Sequence, residues 1–186
     1  MKRIKVYVAG KISKESVFGT PYWRDGFCKE LSEKTGFEII NLDPTKKPEG
    51  FDLDQSNSRL VVGRNCFLIK SADIVIVNLT DDISVGGSQE MLIAKYYRKP
   101  LVGIAPKGGK FNKKEKEVLG RVYKNFLDPF VLVSCDKIVE NIDELSVFIK
   151  EFHSEDRRKA KDITVLDYSL EYYLKEHRSS DKIPGD

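Results

Sequence analysis

The densest grouping of chemically useful residues in this chain of 186 residues runs from Thr80 to Glu90, TDDISVGGSQE. Gly86 and Gly87 let main-chain amides approach a ligand closely, Ser88 is a residue type that caps a helix, and a helix N-terminus attracts phosphate or carboxylate. Glu90 carries two readings. A carboxylate in the first helical turn complements the helix dipole and needs no further explanation. The same carboxylate facing a crevice is a nucleophile toward a sugar carbon, as in retaining glycoside cleavage. Further candidates follow the other predicted strands: Gly10 within Ala9–Ser13, Asn41 and Asp43, Asn78, and Pro106 with its glycines. Arg24 is either a bidentate phosphate ligand or an exposed helix arginine. The lysines at 107, 110, 113, 114 and 116 read as a solvated loop that raises the local potential for an anionic substrate.

Composition removes several other chemistries. Three cysteines at wide spacing, Cys28, Cys66 and Cys135, form no disulfide framework and no paired metal motif, and read as buried thiols. With only His153 and His177 as imidazoles, a metal site or a Ser-His-Asp arrangement is poorly supplied, and no metal or cofactor is expected. The 32 basic residues nearly balance 29 acidic ones, so nothing calls for a nucleic-acid partner. No apolar run reaches the roughly 18 to 20 residues of a membrane span, and the apolar start ends too early for a secretory signal, so a cytoplasmic location is expected.

The elements that must hold these residues alternate. Ile4–Ala9 predicts a strand, 22–34 a helix, and Phe37–Leu42 a strand stopped at Asp43-Pro44. Thr45–Gln55 has no periodicity and is either an active-site loop or a surface excursion. Ser58–Ser71 predicts a helix and Asp73–Leu79 a strand apolar on both faces, the mark of a parallel sheet covered by helices. The segment from Val85 predicts a helix ending before Lys99-Pro100, and Leu101–Ala105 a strand. A Lys-rich loop and helix over Lys107–Asn125, a fifth strand at Phe130–Ser134 and a helix to Phe152 capped by Asn141 or Asp143 complete the pattern. The expected fold is therefore α/β, a flavodoxin- or Rossmann-like doubly wound five-stranded parallel sheet in residues 1–152. Residues 153–186 read as a charged extension with one extra helix, its Tyr-rich run from Ile163 to Leu174 apolar enough to dock, and a disordered final RSSDKIPGD.

Three segments, VYVAGKIS, RNCFLIKSADIVIVNLT and SVGGSQEMLIAKYYRKPLVGI, give the chain a resemblance to the nucleoside 2-deoxyribosyltransferase family, including its deoxynucleoside 5′-monophosphate N-glycosidase branch, over nearly all of Val6 to Ile149. The resemblance implies that Glu90 attacks the anomeric carbon, that a covalent glycosyl-enzyme is discharged by a base or water, that Tyr7 and Gly10 border the base pocket, and that the chain is a homo-oligomer acting on a small nucleoside or nucleotide. The region of Asn125 and Asp128 would be donated to a neighbour. Two positions depart from the family pattern. Asn65 stands where an acidic residue is usual and cannot transfer a proton, leaving Asp43 first, then Asp25, Asp81 or Asp82, to protonate the departing base. Ser84 stands where nucleoside-specific members often carry an acid, and a hydroxyl there, with Gly86, Gly87 and Ser88, admits a 5′-phosphate. Two alternatives stay open: a lysine-decarboxylase-like nucleotide phosphoribohydrolase, and a nucleotide-binding sensor without efficient catalysis.

Overall fold

The computed structural model describes residues 2–10, 23–46, 48–154 and 160–181. Five strands, β1 (Arg3–Ala9), β2 (Glu38–Asn41), β3 (Ile74–Asn78), β4 (Leu101–Ile104) and the fifth of the sheet, Lys137–Val139, lie in the order β2-β1-β3-β4 and then that last strand, every neighbouring pair parallel. Helices α1 (Trp23–Thr35), α2 (Ser58–Ser71) and α3 (Val85–Tyr96) form the crossovers between the first four strands. Between β4 and the last sheet strand the chain makes an antiparallel hairpin, β5 (Asn112–Val118) and β6 (Arg121–Leu127), then a short helix α4 (Pro129–Ser134); the sheet strand Lys137–Val139 is thus β7. Helix α5 (Ile142–Ser154) returns to the sheet and α6 (Val165–Glu176) follows. The result is a doubly wound α/β fold in the flavodoxin-like order, whose direction of progression reverses between β1 and β3.

Strand periodicity decides which layer each β1 side chain joins. Ile4, Val6 and Val8 pack with Trp23, Phe27 and Leu31 of α1 and with Leu145 and Ile149 of α5. Tyr7 and Ala9 point to the other layer, with Ile69 of α2 and Met91 and Ala94 of α3. Every residue of β3 is buried, as a central strand covered on both sides requires. Burial pushes the thiols of Cys28 and Cys135 up to about 12, so both behave as core atoms.

Four readings of the sequence are corrected. The stretch expected to be a loop and helix over Lys107–Asn125 is the β5–β6 hairpin, closed by Leu119 and Gly120, both at positive φ (50° and 75°), the two-residue turn that matches strand twist. The FVLVS segment is not the fifth strand but α4, because Asp128 accepts hydrogen bonds from the amides of Phe130 and Val131 and Pro129 stands at the first turn, a start signal that overrides β propensity. Helix α3 is capped by Ser84, whose Oγ accepts from the Gly87 amide at 3.1 Å, not by Ser88, and this earlier start puts Glu90 in the second turn. Of the final segment expected to be disordered, Arg178–Ser180 forms a 3₁₀ turn, and 182–186 lie outside the described residues, as do Lys11–Ser13 of the first candidate loop. Asn141 caps α5 through the Glu144 amide at 3.0 Å. Among the described residues no helix is long and apolar enough to cross a membrane.

Candidate active site

A cleft of about 610 Å³ opens at the carboxyl ends of β1 and β3, where the strand order reverses and ligands of such sheets collect. Gly10 ends β1 on its wall, Arg24 comes from the start of α1, Asn65 from α2, and Ser84, Gly86, Gly87 and Glu90 from the first turns of α3. The β2–α2 loop adds Thr45, Leu53 and Gln55, which makes it a wall of the cleft.

Glu90 is 9% exposed and its Oε1 is held from two sides. The Tyr7 hydroxyl donates to it at 2.7 Å and Asn65 Nδ2 donates at 3.1 Å. Tyr7 reaches the carboxylate because β1 alternation aims it at the α3 layer, and Asn65 because it lies one helical turn before the buried Ile69 on the inward face of α2. Burial raises the Glu90 carboxyl above the usual carboxylate range, against the pull of the Tyr7 hydrogen bond, the Arg24 charge and the Asn65 hydrogen bond. Burial, reinforced by the neighbouring Glu90 charge, pushes the Tyr7 phenol up strongly, so this hydroxyl stays a donor. The arrangement is a buried carboxylate with one oxygen fixed by two neutral donors at the rim of an open cleft, which suits attack on an electrophilic carbon.

Two of the cleft glycines answer to packing and the third to open space. A Cβ on Gly10 would sit 3.2 Å from both Asn78 Cβ and Trp23 Cζ2, and one on Gly87 would sit 2.9 Å from Ile83 Cγ1. A Cβ on Gly86 would meet only Ser84 Oγ at 3.9 Å, so the chain itself leaves that space empty at the mouth of the cleft. The cap occupies the Gly87 amide and the Ser88 amide bonds the Ser84 carbonyl, while the amides of Val85 and Gly86, at the first positions of α3, have no carbonyl one turn back within the helix.

Other candidates lie elsewhere. Asp43 is buried, with Oδ1 accepting from the Thr45 amide and hydroxyl, and is not on the cleft wall. Asn78 is tied in the same way to Thr80. Ser88 donates to the Val85 carbonyl and faces a neighbouring cavity of about 310 Å³ that it shares with Asp128. Asp25 bonds Lys46 and Asn41, Asp82 bonds Lys110, and Asp81 is exposed. Arg24 is not an exposed helix arginine: it is 1% exposed, and its Nε and Nη2 donate to the main-chain carbonyls of Val8 and Gly10.

The architecture is shared with known α/β proteins. The chain resembles a conserved protein from Enterococcus faecalis (12% identity over 80% of this chain and 98% of that chain, TM-score 0.57). It also resembles a 2-deoxyribosyltransferase from Bacillus psychrosaccharolyticus (16% identity, 76% and 90%, TM-score 0.50). The CMP N-glycosidase BcmB of Clostridium botulinum overlays more loosely (16% identity, 79% and 98%, TM-score 0.41). No family model and no curated protein matches the sequence. At these identities the first two overlays establish a common fold.

Proposed function

We propose that this protein cleaves the N-glycosidic bond of a 2′-deoxyribonucleoside or its 5′-monophosphate. The observation that carries the reading is the buried Glu90 carboxylate, held through one oxygen by Tyr7 and Asn65 beside the cleft at the reversal of the sheet. A Glu90 oxygen attacks C1′, and the bond between C1′ and the base nitrogen breaks with its electron pair going to the base. The departing base takes up a proton as it leaves. Water or a second base then attacks C1′ and releases Glu90. Support for a 5′-phosphate comes from Ser84 and the open Gly86 at the helix start. Self-association belongs to the reading, supported by the exposed apolar residues of α6, among them Tyr168, Leu170 and Tyr172.

The test incubates the protein with nucleosides and 5′-monophosphates, with and without a second free base, and separates the products by chromatography. Released or exchanged base is expected, and a 2-fluoro-sugar substrate should add mass to the peptide containing Glu90. Glu90→Gln should lower kcat/KM by about 10³-fold or more while preserving the fold. Binding without turnover by the wild type would instead favour the nucleotide sensor, the second reading that Asn65 supports.

A further inference from the structure

Two donors meet Glu90 on the same oxygen, and they differ in what else they can touch. The Tyr7 hydroxyl and Asn65 Nδ2 both donate to Oε1, at 2.7 and 3.1 Å, but Tyr7 is fully buried whereas Asn65 is half-buried and lines the cleft. The second carboxylate oxygen, Oε2, has no hydrogen-bond partner among the described residues and is not sealed from the cleft, so it is the oxygen left to attack. Glu90 also fixes which way the Asn65 amide faces. A carboxylate only accepts hydrogen bonds, and turning the amide over would set Oδ1 against Oε1, two acceptors in contact. Nδ2 is thereby held on Glu90, and Oδ1 is left on the cleft side as an acceptor with no partner among the described residues.

Displacement at C1′ brings the attacking oxygen in on the ring face opposite the departing base. In a nucleoside that face also carries the ring hydroxyls at C2′ and C3′, and a 2′-deoxy sugar keeps only the one at C3′. The ring oxygen beside C1′ accepts and does not donate, so it cannot pair with Oδ1. Building on the glycosidic reading of this cleft, we propose that Asn65 Oδ1 accepts the hydrogen bond of the substrate's 3′-hydroxyl. Asn65 then selects the sugar: the cleft takes nucleosides or 5′-monophosphates whose 3′-hydroxyl is free, and refuses 3′-phosphates and residues inside a nucleic-acid strand. The same amide that holds Oε1 thus sets the ring against Oε2.

The test compares a 2′-deoxynucleoside 5′-monophosphate with its 2′,3′-dideoxy counterpart carrying the same base. Specificity constants, and dissociation constants from calorimetry, are measured for wild type, Asn65→Ala and Asn65→Asp. Wild type should favour the 3′-hydroxyl by about 10-fold, the scale of one hydrogen bond to a preset acceptor. Asn65→Ala should bring that preference close to unity, and Asn65→Asp, which keeps an acceptor in the same place, should retain it. Loss of packing or of the Glu90 contact alone would slow both substrates alike and leave the ratio where it was. Asn65→Leu, similar in shape to asparagine, decides the matter if the alanine variant does not fold. A wild type indifferent to the 3′-hydroxyl, or a preference that persists without the Asn65 amide, overturns the proposal. So does an altered base preference in Asn65→Ala with the 3′ ratio intact, which would set Asn65 against the base. Wild type that binds these ligands and releases base from none sinks the glycosidic reading, while the ratio of dissociation constants still decides the hydroxyl contact.

Discussion

Glu90 is costly to ionise where it stands, and this has a stability consequence with a definite sign. Because burial raises its folded-state carboxyl above the unfolded value, the folded chain holds this proton to higher pH than the unfolded chain does. Stability contributed by this group is then full below the unfolded pKa and falls as pH rises through the folded one. Glu90→Gln, which keeps an acceptor for Tyr7 and Asn65, should therefore unfold at a higher temperature than wild type at neutral pH, and the gain should vanish as pH is lowered through the carboxylate range. Thermal unfolding followed by circular dichroism across pH checks this. At the same scale, the sequence pointed to most of the residues that meet in the cleft: Gly10, Arg24, Asn65, Ser84, Gly86, Gly87 and Glu90, with Tyr7 beneath them. Asp43 and Asn78, which the sequence also singles out, are not among the residues lining the cleft. Each is followed two positions later by a threonine whose amide and hydroxyl it binds, and Asp162 with Thr164 repeats the arrangement away from the cleft. That spacing marks a local turn and was readable in the sequence.

At the scale of elements, the β5–β6 hairpin closes on a residue type poorly suited to its dihedrals. Leu119 takes φ of 50° and is 99% exposed, so it bears left-handed strain with no packing in return. Leu119→Asn should stabilise the hairpin by about 0.5 to 1 kcal/mol, through the turn preference for Asn-Gly. Slower amide exchange across Asn112–Leu127, with no change elsewhere, is the expected readout. The hairpin also shows where sequence reading ends. Lys and Glu are good helix formers, and in NKKEKEV no apolar alternation announces a strand, because neither face of this ribbon is well buried. The crossovers around β1, β3 and β4 were legible since burial on both faces demands unbroken apolar runs there. The misreading of α4 was avoidable: Asp-Pro ahead of an apolar run is a helix start before it is anything else.

Across the whole molecule, Asp136 joins parts that are remote in sequence. Its Oδ2 accepts from Lys95 Nζ at 2.5 Å and from the Leu101 amide at 2.7 Å, and its Oδ1 accepts from the Lys161 amide at 2.7 Å. Lys161 in turn donates through Nζ to the carbonyls of Leu132, Val133 and Cys135 at the end of α4. Lys95 is fully buried, and burial draws its ammonium below the usual lysine range against the pull of Asp136. Asp136→Ala strands that charge, so a loss of about 3 to 5 kcal/mol in denaturant unfolding is expected, together with faster amide exchange in residues 160–181.

The hydrogen bond between Tyr7 and Glu90 spans 83 positions of the chain. During synthesis the N-terminal strand leaves the ribosome well ahead of the helix that carries the acid, and no shorter fragment contains both partners. Nascent or clipped chains lacking either end of that span cannot form this bond. Formation of the bond thus timestamps the docking of α3 onto β1, a long-range step that its large sequence separation places late in folding.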